Sequence, residues 1–350
     1  MKRITIEPAW IFKDDTGGKL DPQLFLLISA IHEHGKLTLA AKQVGISYRH
    51  SWNILHHWAG FFGCELVHLH KGKGAKLSPL GEKLLWAQQR LIARLEPQLK
   101  SFASEINLEI QRSLADIKPL LNIYASFGYA VELLPDLSEN YQLNLQYKEV
   151  EESLIALNRG QCDVAGFHLP VELRDAKYLT QYIRHLRPRA HNIIRFITRK
   201  MGLMVAKGNP KSVRALQDLS DTDVRFINRE PASGTRFLFD ELLAREDIPV
   251  ESIIGFDDVE YTHSAIAAYV AAGMADVGFG VQAAADKFGL EFVPLTSEHY
   301  VFVCNNKTLQ QEAMHRFLTD IKSAQFQERV NNLAGYTPER CGDIISVDDL

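Results

Sequence analysis

Two constellations in this sequence bring chemically suited residue types together at short spacing. The first is Asn228-Arg-Glu-Pro-Ala-Ser-Gly-Thr-Arg236, which follows a strand-like run at 224–227 and opens a helical one. A Ser-Gly-Thr turn at a helix start leaves several backbone N–H groups unpaired, and the helix dipole adds partial positive charge. Ser233 and Thr235 add hydroxyl donors, Gly234 lets the backbone approach a ligand closely, and Arg236 can clamp an oxyanion bidentately. The chemistry is anion binding; the plainer reading is an N-cap whose hydroxyls only satisfy the helix. Ser126-Phe-Gly-Tyr, after the strand-like 120–125, and Tyr261-Thr-His-Ser, before a helical run at 262–272, repeat the layout. Strand-to-helix turns at the carboxyl ends of parallel strands are where α/β folds bind ligands. The three turns would then border one cleft, with His263 as a further donor.

The second constellation is basic. Tyr48, Arg49, His50 and Asn53 share the outer side of a helical run that Ser47 can cap, and Lys71, Lys73 and Lys76 sit on a Gly-rich tip after it. Arg49 suits a bidentate bond to guanine and Asn53 one to adenine, the pairings that read base edges in the major groove. Ser47 and Tyr48 suit phosphate contacts, which set register without reading sequence. The lysines suit backbone or minor-groove contact. Net charge is −4, yet 36–76 carries six basic residues against Glu65, a net +5 that leaves −9 elsewhere. A compact basic patch on an acidic chain is the footprint of a double-stranded DNA contact, or else a solvated face.

The elements that position these residues follow from spacing. Asp21 can cap a helix over 21–34 with Pro22 in its first turn, and Leu24, Leu27, Ile28 and Ile31 give it one apolar stripe. Thr38 is expected to cap a short helix over 39–44 closed by Gly45, and Ser47 a third reaching Phe62 before Gly63. Trp52, Leu55, Trp58, Ala59 and Phe62 fall at helical spacing as its core face. Helix, Gly turn, helix is a helix-turn-helix pattern, and the alternating 65–77 around a Gly/Lys tip makes a β-hairpin wing. A long helix over 79–114 carries Leu85, Gln88, Ile92, Leu95, Leu99, Phe102 and Ile106 at alternating steps of three and four. That seam suits pairing with a second copy, or packing within its own domain. Pro97 predicts a kink or break near Leu95, since an interior proline costs a helix about 3 kcal/mol.

Beyond residue 117 short strand-like runs (120–125, 143–150, 164–167, 202–206, 224–227, 277–279, 292–295, 300–304) alternate with helical ones (151–159, 235–245, 262–272). This predicts an α/β domain with mainly parallel strands. The expected organisation is 1–78, a winged helix-turn-helix; 79–116, a linker and dimerisation helix; and 117–350, a ligand-binding domain. At 350 residues with 46% apolar and 23% charged residues the chain is a multidomain globular protein. No apolar run approaches a membrane span and no apolar stretch follows the basic start. Four scattered cysteines exclude C-x-x-C motifs and fit a reducing compartment, so the expected location is the cytoplasm. Gly278-Phe-Gly280-Val-Gln-Ala283 matches a dinucleotide fingerprint, but no acid follows about 20 residues on, and no nucleophile elbow, zinc helix or Walker loop occurs. No enzyme chemistry and no cofactor or metal is expected; the rival is an enzyme or sensor whose basic segment contacts protein.

Leu39-Ala-Ala-Lys-Gln-Val-Gly-Ile-Ser-Tyr-Arg-His-Ser-Trp, with the Lys-Gly-Lys-Gly-Ala-Lys-Leu-Ser-Pro-Leu-Gly wing and the helix behind it, resembles the winged-helix domain of ModE/LysR-type bacterial regulators over 20–115. The resemblance implies a homodimer reading a two-fold operator. Gly202-Leu-Met-Val-Ala-Lys-Gly-Asn-Pro, the Ser-Gly-Thr-Arg turn, Thr262-His, Ala275-Asp-Val-Gly-Phe-Gly and Phe292-Val-Pro-Leu together resemble the periplasmic-binding-protein-like domain often fused behind such a head, over 118–340. That implies two lobes, a chain crossing twice near Arg199 and Pro294, and a small anionic ligand between them: molybdate, tungstate or a small organic acid. The residues matching its turns are Ser126, Ser233, Thr235 and Arg236, with His263 and Gly280 beside them. Ala232 stands where that family commonly has a first glycine.

Overall fold

The computed structural model describes residues 4–349 except positions 10, 12, 14–22, 71–73, 114–117, 172–181 and 222. The chain forms two compact units, Glu7–Ala93 and Arg94–Leu350, with Met1–Ile6 grouped with the second.

The first unit holds α1 (Gln23–His34), α2 (Leu37–Val44) and α3 (Tyr48–Phe62), followed by an antiparallel hairpin of β1 (Val67–His70) and β2 (Gly74–Leu77). The stripe Leu24, Leu27, Ile28 and Ile31 is buried, as its spacing dictates. Asp21 and Pro22 lie outside the described residues. Thr38 is not the cap of α2: Leu37 is drawn into the core and the helix starts with it, leaving Lys36 at the N-cap without a side-chain bond. Gly45 closes α2 at φ 76°, a left-handed turn that costs a glycine nothing. Ser47 then caps α3, its Oγ accepting from His50 N at 3.1 Å.

α3 buries Ser51, Ile54, Leu55 and Trp58. Of the expected face, Leu55 and Trp58 are in this stripe and half-buried Phe62 packs against the same core, but Ser51 and Ile54 stand in place of Trp52. Small Ser51 lets the helix approach closely, its Oγ donating to Ser47 O at 3.0 Å, and Trp52 is turned outward, 45% exposed, its ring stacked on His56 at 5.0 Å. In the hairpin Ala75 and Leu77 face inward and Lys76 outward, and Ala75 N donates to Gly35 O at 2.8 Å. Lys71 and Lys73 lie outside the described residues.

α4 (Pro79–Ser113) remains helical through Pro97, so of the kink or break expected near Leu95 there is no break. Tertiary bonds hold it beyond the proline. Lys100 joins Glu96 at 3.0 Å and Glu132 at 2.5 Å, and the hydroxyls of Ser101 and Ser104 accept from Tyr147 N and Leu145 N, both at 2.9 Å. These serines thereby satisfy N–H groups along an edge strand. Of the seam, Leu85 is buried while Ile92, Phe102 and Ile106 are exposed.

The second unit is built on β3 (Leu120–Ala125), α5 (Leu134–Leu137), β4 (Gln142–Tyr147), α6 (Val150–Asn158), β5 (Val164–Pro170) and β6 (His191–Val205). There follow β7 (Phe226–Arg229), α7 (Gly234–Arg245), β8 (Val259–Glu260), α8 (His263–Ala271), β9 (Val277–Val281), α9 (Gln282–Lys287) and β10 (Glu291–Asn305). The chain ends with α10 (Glu312–Lys322), α11 (Ala324–Asn331), β11 (Tyr336–Thr337) and β12 (Ile344–Ser346). The sheet runs β4-β3-β5-β10-β6-β9-β7-β8. β3, β4 and β5 are parallel, as are β7, β8 and β9, but β6 and β10 pair antiparallel over fifteen residues each.

The sheet is therefore mixed rather than mainly parallel. The runs expected at 292–295 and 300–304 are one strand, β10, and the run at 202–206 is the end of β6. Both long strands span two halves. β10 pairs β5 over Glu298–Cys304, whereas β6 pairs β9 over Met201–Val205, and β10 changes register between Pro294 and Thr296. The expected class, a helical N-terminal unit with a hairpin followed by an α/β domain, is the fold of this chain. Among the described residues no helix is long and apolar enough to cross a membrane.

Candidate functional site

A cavity of about 380 Å³ opens where the parallel strands end. Ser126 and Phe127 follow β3, Tyr147 closes β4, Glu149 and Val150 open α6, and Arg229 closes β7; all line it. Ser233, Gly234 and Thr235 come from the start of α7, Thr262 and His263 from the start of α8. His168 of β5, Arg199 of β6 and Glu298 of β10 complete the wall between the two groups.

Three helices, α6, α7 and α8, begin at this cavity. Their first turns carry unpaired N–H groups and partial positive charge. Among the described residues the lining holds equal numbers of basic and acidic side chains: Arg94, Lys148, Arg199 and Arg229 against Glu149, Glu152, Glu230 and Glu298. Three of the cations are neutralised in place. Lys148 binds Glu152 at 2.8 Å, Arg199 binds Glu298 at 2.7 Å and Arg229 binds Glu230 at 2.9 Å. Any preference for anions therefore comes from oriented donors and helix ends rather than from net charge.

The hydroxyls divide by task. Ser233 Oγ accepts from Arg236 N and donates to Glu230 O, both at 3.1 Å, so its group is spent on the cap of α7. Thr262 Oγ1 caps α8 by accepting from Ala265 N at 3.0 Å. Thr235 Oγ1 faces His263 Nε2 at 3.5 Å. Ser126 caps no helix. Its N–H donates to Gly166 O and its carbonyl accepts from the Tyr300 hydroxyl, both at 2.9 Å, while Oγ is buried without a hydrogen bond.

Two expected residues lie off the cavity wall. Arg236 is engaged elsewhere: Nε binds Asp240 at 2.9 Å, Nη1 donates to Arg229 O at 3.3 Å, and the guanidinium stacks over Phe256 at 4.1 Å. Its ion pair with Asp240, one turn further along α7, holds the guanidinium against the side of the helix rather than past its start. Gly280 is buried in β9, where a Cβ would meet Met204 Cε at 2.7 Å and His263 Nδ1 at 3.0 Å; it gives the His263 ring room.

Sequence reasoning missed His168, Arg229 and Glu298, and took Arg199 only as a crossing point. The available signal was opposite charges within two apolar strand runs, Arg199 in one and Glu298 in the other. Burial, and then the guanidiniums of Arg199 and Arg229, hold the His168 ring well below the usual histidine range. The same causes, with His168 added, act on His263. Both imidazoles are neutral donors or acceptors at neutral pH.

On the first unit Ser47, Tyr48, Arg49, His50, Asn53 and Lys76 are all exposed. The first five open one helix, and Trp52 and His56 extend the same outer surface.

A family model described as a PBP superfamily domain matches residues 131–322. The chain belongs to the PBP superfamily. Its PBP domain thus takes in the starts of α6, α7 and α8 and the wall residues His168, Arg199 and Glu298. The uncharacterized protein YvgK of Bacillus subtilis is 33% identical over 201 residues, 57% of this chain and 64% of that one. The molybdenum-pterin-binding protein MopB of Rhodobacter capsulatus is 31% identical over 98 residues, 27% of this chain and 36% of that one. This chain therefore covers less than two thirds of the length of either relative. Among solved structures, an H2O2-bound cysteine-to-serine mutant of OxyR from Corynebacterium glutamicum is similar at 16% identity and a TM-score of 0.46, over 88% of this chain and 93% of that one.

Proposed function

We propose that this chain is a DNA-binding transcriptional regulator of ModE/LysR-like layout, acting in the cytoplasm, whose operator affinity is set by a small anion in the PBP-domain cavity. It is read as a regulator and not an enzyme. The observation that carries the proposal is the pairing, in one chain, of an exposed polar and basic helix face with a cavity on which three helix N-termini converge. Arg49 and Asn53 read bases; Ser47, Tyr48, His50 and Lys76, with Lys71 and Lys73, hold the backbone. Ser126, Gly234, Thr235 and His263 contact the anion and Ser233 orients α7. The anion is molybdate, tungstate or a small organic acid, and the name of MopB supports the first. We read 1–78 as the DNA head, 79–116 as the linker and 117–350 as the effector domain. The exposed Ile92, Phe102 and Ile106 of α4 support a homodimer through that helix.

The mechanism is a population shift. β6 and β10 cross both halves of the PBP domain near Arg199 and Pro294, and closure about this hinge changes the relation of two heads. The effector moves operator affinity only by its differential affinity for the two arrangements. A gel shift of the full chain on the DNA upstream of its own gene, at two salt concentrations and with or without molybdate, tests this. Binding should fall steeply with salt as phosphate contacts are screened. Indifference to every double-stranded fragment would overturn the reading and favour a protein-contact head.

A further inference from the structure

Three buried polar atoms on one wall of the cavity lack hydrogen bonds: Ser126 Oγ, His168 Nε2 and Arg199 Nη1. Arg199 Nη1 and His168 Nε2 lie near one another, and Ser126 lines the same cavity. A Cβ placed on Gly128, two residues after Ser126, would lie 3.9 Å from Arg199 Nη1 and 4.0 Å from His168 Nε2. Arg199 is 2% exposed, and its Nε and Nη2 both donate to Glu298 Oε2, at 3.0 and 2.7 Å. The Tyr336 hydroxyl lies beside the guanidinium without a well-formed hydrogen bond to it. Among the described residues Nη1 is the one buried guanidinium nitrogen without a hydrogen bond.

A buried polar atom left unpaired is costly, and three on one wall call for a group that pairs them. Among the described residues of the opposite wall, Ser233 is spent on its cap and only His263 Nδ1 is buried without a hydrogen bond, 3.0 Å from where a Cβ on Gly280 of β9 would lie. We infer that the oxyanionic group of the effector is received by Ser126, His168 and Arg199, a subsite on the β3–β5–β6 wall, with Arg199 supplying the guanidinium expected of Arg236. This rests on the effector reading above and specifies its anchor. The shared chemistry is an acceptor-only group with several oxygen lone pairs, which an inorganic oxyanion and a carboxylate both provide.

Isothermal titration of the full chain with molybdate in one arm and succinate in the other separates the two sources. The variants are Ser126→Ala, His168→Gln and, as a control outside the wall, Arg236→Ala, each checked for wild-type thermal unfolding. At least one probe should bind the unmodified chain. Ser126→Ala and His168→Gln should each weaken that probe tenfold or more, and Arg236→Ala should leave it within twofold. Wild-type affinity in both wall variants would overturn the subsite while leaving the effector reading standing. A chain that binds neither probe at millimolar concentration would overturn both.

Discussion

The Tyr129 hydroxyl meets Ser264 Oγ at 2.7 Å. The bond links the loop after β3 to the first turn of α8, and so ties together elements from opposite halves of the sheet at the edge of the cavity. Burial pushes the phenol well above its usual range, so it stays protonated and able to donate. The Lys287 ammonium lies 5.7 Å from the ring centroid, and the Tyr336 ring meets it edge-on at 6.5 Å.

Tyr129→Phe removes this hydroxyl and keeps the ring. The expected cost is about 1 kcal/mol, the net worth of a partly buried hydrogen bond. For a unit of this size that lowers the midpoint of thermal unfolding by about 2–4 °C. Calorimetry of the variant checks it.

The Arg199–Glu298 pair predicts a non-additive mutant cycle. Glu298→Leu strands a buried guanidinium and should cost about 3–5 kcal/mol, whereas Arg199→Met added to Glu298→Leu should recover most of the loss. Urea unfolding of the single and double variants decides this. A double variant as unstable as the single would show that packing, not charge, sets the cost.

His168 and His263 predict acid sensitivity. Both rings have folded values well below 6.5, so the unfolded chain binds more protons in mild acid. Stability contributed by these groups is complete above about pH 7 and falls as pH drops through 6.5 toward the folded values. Each contributes a slope of at most about 1.4 kcal/mol per pH unit. Denaturant midpoints between pH 5.5 and 7.5 should show the decline, and His263→Gln should flatten it.

The proposed base contact predicts that Arg49→Ala costs about 1–3 kcal/mol on a cognate operator and little on random DNA. Lys76→Ala should weaken both alike and reduce the salt slope by about one. Titrations at several salt concentrations separate the two roles.

Legibility followed burial pattern. α1, the turn at Gly45, the Ser47 cap and the strand-to-helix turns of the PBP domain could be read because each rests on contacts within a few residues. α3 shows where that stops: two stripes share Leu55 and Trp58, and only the packing partner decides which is buried. Trp52 is outside and Ser51 inside. Trp52→Ala should therefore change stability by less than about 0.5 kcal/mol, whereas Trp58→Ala should cost about 3–5 kcal/mol, both measurable by denaturant titration. Arg236 illustrates the same limit. Its place in a motif was visible, but the side on which its helix carries it was not. Arg199 and Glu298 are 99 residues apart in sequence and meet only through the register of two long strands.

The partners of β6 also dictate an order of assembly. On one edge it pairs with β10; the other edge is tiled by β9, β11 and β12, the last lying at Ile344–Ser346. The second edge of β6 thus waits for Ile344–Ser346, about 250 residues beyond the contacts of Glu7–Ala93. At about 5–20 residues per second, a lag of roughly 250 residues lasts about 12–50 s. During translation each molecule therefore passes through a stage in which Glu7–Ala93 is finished while one edge of β6 is still open, and it is β12 that ends this stage.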